Sequence, residues 1–367
     1  MSGLTWPAGL PTEFQPTMTK ITVLDDQPLP ASFRDEAHLE ELLSTPSQAL
    51  VDDFARLEGD ILVMGVAGKV GPTLAMMAKR AAPRKRVIGV ARFSDANVKR
   101  RMEAVGVETV PCDLLDREAV ARLPQARNVI FMAGRKFGTA GDEPATWAMN
   151  AVVPAYVGER FKDTHFVAFS TLCVYPFSNV SGSGSKPDSS PLTPLGEYAN
   201  SCVARERVFQ YFSEKTGSPG RLARLNYAID CRYGVLHDVA VRVYTNKPID
   251  IRTGVANCIW QGDAITHILR CLLHGRLPAA AINIGAPLTT NIRKVALQFG
   301  ELFGREPVFL GTEQPTAWHN DCSEAQQLFG DPLVNLETMV RWNANWLDRR
   351  LPVHNKPTHY EERDGLF

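Results

Sequence analysis

The chain reads as an α/β protein built on a doubly wound parallel sheet, with a small C-terminal lobe and a helical N-terminal extension. Three observations point there. From residue 60 onward, short apolar runs alternate with helical stretches, the pattern of parallel strands with helices on both faces. A glycine-rich turn, Gly65-Val-Ala-Gly68-Lys69-Val70-Gly71, joins the first such run to the first such helix. The 367 residues are 44% hydrophobic and 22% charged, enough to bury a sizeable core without the bias of a disordered chain.

The elements follow in order. Residues 1–30, rich in Pro and Thr, show no sustained periodicity and predict an extended arm. Residues 35–58 predict two short helices split at Thr45-Pro46, because proline disfavours helix in the residue before it. Leu39, Leu42 and Leu43, then Leu50, Phe54 and Leu57, fall at helical spacing and predict a helical add-on packed against the main domain. Ile61–Met64 is the first strand, and Pro72–Ala82 is the helix after the glycines. Arg86–Val90, Glu108–Pro111, Asn128–Met132 and His165–Phe169 supply strands two to five. Long helices are expected around Trp147–Phe161 and over Tyr198–Lys215. Between them and beyond the fifth strand, the Ser/Gly/Pro-rich stretch Ser178–Pro194 predicts a mobile loop. The chain thus divides into an arm and extension (1–58), a dinucleotide-binding domain (59–230), sheet completion with a substrate lobe (231–350), and a tail (351–367).

Charge and composition narrow the function. Forty basic residues balance forty acidic ones, so the basic footprint of a nucleic-acid binder is missing. No apolar run approaches the roughly 20 residues that span a bilayer. The N-terminus lacks the basic start and apolar core of a secretory signal. Seven cysteines stand singly, without a C-x-x-C pair, and the eight histidines show no metal-ligand spacing. A reduced, cytoplasmic, metal-free protein is expected, with no nucleic-acid or membrane partner.

The glycine turn has a chemical reading. Glycine lets backbone N–H groups approach a pyrophosphate, and the following helix N-terminus supplies partial positive charge. Pro72 suits that helix's first turn, where its missing N–H costs nothing. Gly65, Gly68, Lys69, Val70 and Gly71 are therefore the candidate cradle for a dinucleotide. An acidic residue at the end of the second strand would accept the adenosine ribose of NAD. The sequence has Arg92 there instead, with Lys69 a second cation, so NADP is favoured and NAD stays open.

The order of Gly65–Gly71, Cys112-Asp113-Leu114, Phe131-Met-Ala133-Gly134, Asn150, Ser170-Thr171-Leu-Cys-Val-Tyr175 and Tyr198 resembles the extended short-chain dehydrogenases/reductases, the NAD-dependent epimerase/dehydratase family. The resemblance covers roughly residues 60–350. It implies a Rossmann-type fold in which Asp113 and Leu114 flank the adenine and Ala133 and Gly134 line the cofactor. Asn150 would support the tyrosine-bearing helix, and Asn226, at the end of the sixth strand, would lie beside the nicotinamide. It also implies a hydrogen bond from Thr171 to the reacting substrate oxygen, with Tyr198 exchanging that oxygen's proton. Family members often pair through helices such as 147–161 and 198–215, so a homodimer is one expectation.

The chain departs from the family at one catalytic position. Where the pattern is Y-x-x-x-K, the sequence has Tyr198-Ala-Asn-Ser-Cys202. A tyrosine with its usual pKa of about 10 needs a nearby cation to act as a base at neutral pH. A neutral thiol supplies none. Lys136 is the leading candidate for a compensating cation, ahead of Arg205. The expected function is NAD(P)-linked oxidation, reduction or epimerisation at a hydroxyl or carbonyl of a sugar, sugar acid or nucleotide sugar. The alternative is a catalytically weakened NAD(P)-binding protein with a sensing or scaffolding role.

Overall fold

The computed structural model describes residues 21–136 and 141–365. Seven strands form one parallel sheet: β1 (Ile61–Met64), β2 (Val87–Ala91), β3 (Glu108–Pro111), β4 (Asn128–Phe131), β5 (His165–Thr171), β6 (Gly220–Leu225) and β7 (Ala280–Ile284). Their spatial order is β7-β6-β5-β4-β1-β2-β3. Every neighbouring pair is parallel. The chain therefore starts in the middle, winds to one edge, and returns past β1 to the other. That reversal between β1 and β4 opens a crevice at the strands' carboxyl ends, where doubly wound folds bind ligands. β1 and β2 are buried along their whole length, as a sheet covered on both faces requires.

Residues 35–58 form the two predicted helices, α1 (Glu36–Leu43) and α2 (Gln48–Arg56), while residues 1–20 of the predicted arm lie outside the described residues. Asp35 caps the first by accepting the His38 N–H at 2.9 Å, and Ser47 caps the second by accepting the Leu50 N–H at 3.2 Å. The two helices bury different faces. Leu50 and Phe54 join the core beneath helix α3 (Gly71–Ala81), whereas Leu39 and Leu43 join the C-terminal lobe's core. Just ahead of α1, Phe33 packs with Trp342 and Trp260 at ring-centroid distances of 4.8 and 6.2 Å.

The C-terminal lobe stacks helices Val235–Tyr244, Ile292–Phe303 and Leu336–Asp348 around Trp260, Trp342 and Trp346. One expectation changes here. The Ser178–Pro194 stretch is tied down: Ser178–Asn179 pairs antiparallel with Thr316–Ala317, and the His319 ring and Asn179 carbonyl meet at 2.8 Å. The tail, too, is an integral part of the fold. The Arg232 carbonyl accepts the His354 N–H, Tyr360 is buried in the lobe's core, and Arg363 donates to the Thr316 carbonyl at 2.8 Å. The Gly365 backbone lies against Leu195 and Gly196, at the start of the long helix Gly196–Thr216. Among the described residues, no helix is long and apolar enough to cross a membrane.

Candidate active site

Two cavities meet along the carboxyl end of the sheet, sharing Met132 and Gly134 in their walls. The first, about 280 Å³, is lined by Gly65, Gly68, Arg92, Asp113, Leu114 and Ala133 among others. Sequence reasoning had named all six. The three loop glycines serve different purposes. Gly65 has φ of +83°, and a Cβ there would lie 2.6 Å from the Ala133 backbone, so it permits both the turn and close packing. A Cβ at Gly71 would lie 2.2 Å from the Val66 carbonyl oxygen, so this glycine seats α3 against its own loop and lines neither cavity. At Gly68 a Cβ would meet only the Gly65 oxygen, at 3.5 Å. That face is open, which suits backbone approach by a diphosphate.

Lys69 departs from expectation. It lines the second cavity and not the first, placing its Nζ 3.1 Å from the centroid of the Tyr233 ring. It therefore leaves Arg92 as the sole Lys or Arg among the residues lining the first cavity. Burial pulls the Lys69 pKa down to about 7, helped by repulsion from Lys356 and Lys136.

The second cavity, about 260 Å³, is lined by Val70, Lys136, Thr171, Tyr198, Asn226, Tyr233, Gln261 and Thr358, with others. Thr171 is the last residue of β5, and its Oγ1 accepts the Cys173 N–H at 3.2 Å, fixing the turn that follows. Tyr198 stands in the first turn of Gly196–Thr216 and shares a hydrogen bond with Thr171. Burial, then the nearby Cys202 and Cys173 thiols, push its pKa well above the usual 10; Arg205 and the Thr171 bond oppose that rise.

Cys202 does not reach the cavity. It is fully buried with Val174 and Tyr175 behind Tyr198, and burial raises its pKa, so this position is apolar and neutral. Lys136 lines the cavity instead. Burial lowers its pKa, while Cys173 and Cys202 are near enough to pull it back up. Its loop is held by Asn150, whose Oδ1 accepts the Arg135 N–H at 2.9 Å and whose Nδ2 donates to the Arg135 carbonyl at 3.0 Å. The same amide donates to Ser201 on the tyrosine's helix at 2.9 Å and accepts from Arg205 at 2.6 Å. Asn150 thus lies outside both cavities and clamps three of their walls. Arg205, ranked behind Lys136 on the sequence because it lies about two helical turns (~10 Å along the axis) from Tyr198, folds back into the cavity wall, where Gly134 makes room for its guanidinium. Phe137 and Gly138, beside Lys136 in sequence, fall outside the described residues.

Asn226 lines the second cavity, with its Nδ2 donating to the Cys322 sulfur at 3.4 Å. Its Oδ1 is buried without a partner among the described residues, an acceptor suited to a carboxamide N–H. Tyr233, Gln261 and Thr358 escaped sequence reasoning, since only the folding of the C-terminal half onto the sheet brings them here. The two joined cavities, the open face of Gly68 and this unsatisfied oxygen together fit a dinucleotide laid across the crevice.

Comparison with known proteins agrees with this geometry. Residues 61–229 match the model of the NAD dependent epimerase/dehydratase family. Among curated proteins, none matches the chain by sequence. Among solved structures, a UDP-glucose 4-epimerase from Thermotoga maritima superposes with a TM-score of 0.64 at 18% identity, over 79% of this chain and 99% of that one. A UDP-glucuronic acid 4-epimerase from Bacillus cereus gives 0.65 and 18%, over 79% and 99%. A dTDP-glucose 4,6-dehydratase from Bacillus anthracis gives 0.64 and 16%, over 79% and 96%. At these identities the likeness is one of fold.

Proposed function

We propose that this chain, whose residues 61–229 belong to the NAD-dependent epimerase/dehydratase family, is a nicotinamide-dependent enzyme acting on a hydroxyl or carbonyl of a sugar, sugar acid or nucleotide sugar. One observation carries the reading: Thr171, Tyr198 and Lys136 line a single cavity that shares Met132 and Gly134 with the one above the glycine turn. Gly65, Gly68, Asp113, Leu114, Ala133 and Gly134 would hold the adenosine and diphosphate, and Asn226 the carboxamide. Bound there, the cofactor supplies the hydride acceptor or donor.

The chain's own residues manage the proton. Thr171 orients the reacting oxygen by hydrogen bonding, and Tyr198 takes the proton from that oxygen on oxidation and returns it on reduction. Arg205 supplies the positive charge near Tyr198 that the neutral Cys202 cannot, and Lys136 lines the same cavity. Met132, Phe169, Leu172 and Leu225 line the same cavity and limit water there. With its pKa raised, Tyr198 is a proton donor at neutral pH, which suits reduction. Oxidation should therefore quicken as pH climbs above neutrality. NADP would find one cation, Arg92, for its 2′-phosphate. NAD meets no obstacle.

The rival reading, a binding protein without turnover, draws on the apolar Cys202. Lys136 in the cavity and the Thr171–Tyr198 bond weigh against it. Calorimetric titration with NAD and NADP tests binding; Gly68→Asp should abolish both, and Arg92→Ala should reduce NADP affinity about tenfold relative to NAD. With a panel of sugars and nucleotide sugars, absorbance of reduced cofactor tests turnover. Tyr198→Phe should lower it about 10²-fold. Tight cofactor binding with no turnover on any member would favour the rival.

A further inference from the structure

A third cavity, about 590 Å³, lies at the β7 edge of the sheet and shares no lining residue with the two above. β7 pairs with β6 alone, and Ala279, Ala280 and Ala281 keep the wall it forms free of bulk. Arg224 also lines the cavity, but its charge is already met. Its Nε and Nη2 donate to the buried Glu206 at 2.9 and 2.6 Å, and its Nη1 to the Tyr175 hydroxyl at 2.6 Å. Three further cations, Lys186, Arg207 and Arg276, line it with exposed side chains.

Little holds the two exposed arginines. Arg207 donates to Gln210, one turn along its helix, at 2.8 Å and pairs with no carboxylate among the described residues. Arg276 has its backbone pinned to Gly220 in both directions, while its side chain shares one oxygen of Glu324 with Arg221, at 2.8 and 2.5 Å respectively. Arg221 is fully buried, and its Nε and Nη1 have no partner among the described residues, so the Glu324 charge is committed to it. Arg276, 61% exposed, gives up that contact with little loss. Of the remaining acids, Asp321 stands 4.0 Å from Lys186 and accepts the Ser323 N–H, and Asp188 faces solvent. Two guanidiniums are thus left against one solvated carboxylate.

We propose that this cavity is a second binding site, for a small phosphomonoester, with Arg207 and Arg276 holding its phosphoryl group and Gln210 and Ser323 its hydroxyl-bearing body. Guanidinium forks from two separate elements match the double charge and several oxygens of a phosphate, which a single carboxylate leaves half unmatched. The site stands apart from the functional reading above and does not depend on it.

The test is calorimetric titration of the full chain, at fixed ionic strength, with glycerol 3-phosphate, glycerate and glycerol. Glycerol 3-phosphate should bind at least about tenfold more tightly than glycerate, and glycerol should give no signal. Its affinity should climb from about pH 5 to about pH 7, as the phosphate loses its second proton near pH 6. Arg207→Gln and Arg276→Gln should each weaken it about tenfold, in chains that keep the wild-type melting temperature because both side chains are exposed. Gly68→Asp and Lys136→Met, which alter the other two cavities, should leave it intact. Absence of binding at millimolar glycerol 3-phosphate, equal affinity for glycerate, or indifference to both arginine substitutions overturns the proposal. So does loss of binding in Gly68→Asp or Lys136→Met, which would assign the phosphate to the cofactor and substrate cavities.

Discussion

Tyr198 shows most clearly how a single residue's chemistry depends on what the fold brings beside it. The sequence displays Cys202 at the motif lysine's position but not which cations the fold brings to the tyrosine's cavity. Lys136 enters from the loop after β4, and Arg205 folds back from the tyrosine's own helix. Lys136→Met should therefore slow oxidation by about tenfold and reduction by less, because only oxidation needs the phenolate stabilised. Parallel forward and reverse rates across pH would check this. Cys202→Lys, by contrast, places a second ammonium in a buried apolar setting behind Tyr198, and should lower the melting temperature without restoring activity. The glycine turn, Arg92, Asp113, Leu114, Thr171 and Tyr198 were legible because local pattern announces them. Tyr233, Gln261 and Thr358 were not, because no local pattern marks a residue whose role is created by long-range packing. Lys69 was misplaced for a related reason: sequence puts it in the loop but does not say towards which cavity its side chain turns.

At the scale of elements, the breaks and caps were readable and the ties were not. Thr45-Pro46 separates α1 from α2 as proline chemistry requires, and both helices begin at residues that cap them. The Ser178–Pro194 stretch has loop composition, yet it gains a two-residue ladder from a partner more than a hundred residues away. Phe33→Ala should cost about 3 kcal/mol, as core phenylalanine truncations do, and removal of residues 1–58 should lower the melting temperature further; differential scanning calorimetry reads both. Helix Gln261–Arg270 carries a pH signature of its own. Burial raises the Asp263 pKa from 3.8 to about 7, so the folded state binds its proton first and this residue's contribution to stability declines as pH rises through that window. Burial lowers the His267 pKa from 6.5 to about 4, so there the unfolded state binds first and stability declines as pH falls from 6.5 towards 4. The two trends oppose each other in the wild type. Asp263→Asn, which keeps an acceptor for the Val334 N–H, should expose the histidine's effect as a steeper loss of melting temperature below about pH 6.

Taken whole, the order of blocks along the chain was legible, and their mutual attachment was not. The extension grips both halves: Arg80 on α3 donates to Ser44 at 2.7 Å, while Arg232 of the C-terminal lobe reaches Glu36 at 2.7 Å and Glu40 at 3.0 Å. The intact chain should unfold in one calorimetric transition, and a chain lacking residues 1–58 in two. A molecule tied across its two halves in this way should not admit a ligand by parting them like a jaw. The segment 354–363 is fastened at Arg232, Asp238 and Thr316, and its Thr358 lines the second cavity. The pace of product escape should then follow the peeling of that short segment, so that turnover slows in viscous solvent when its contacts at Asp238 and Thr316 are intact and loses that sensitivity when they are cut.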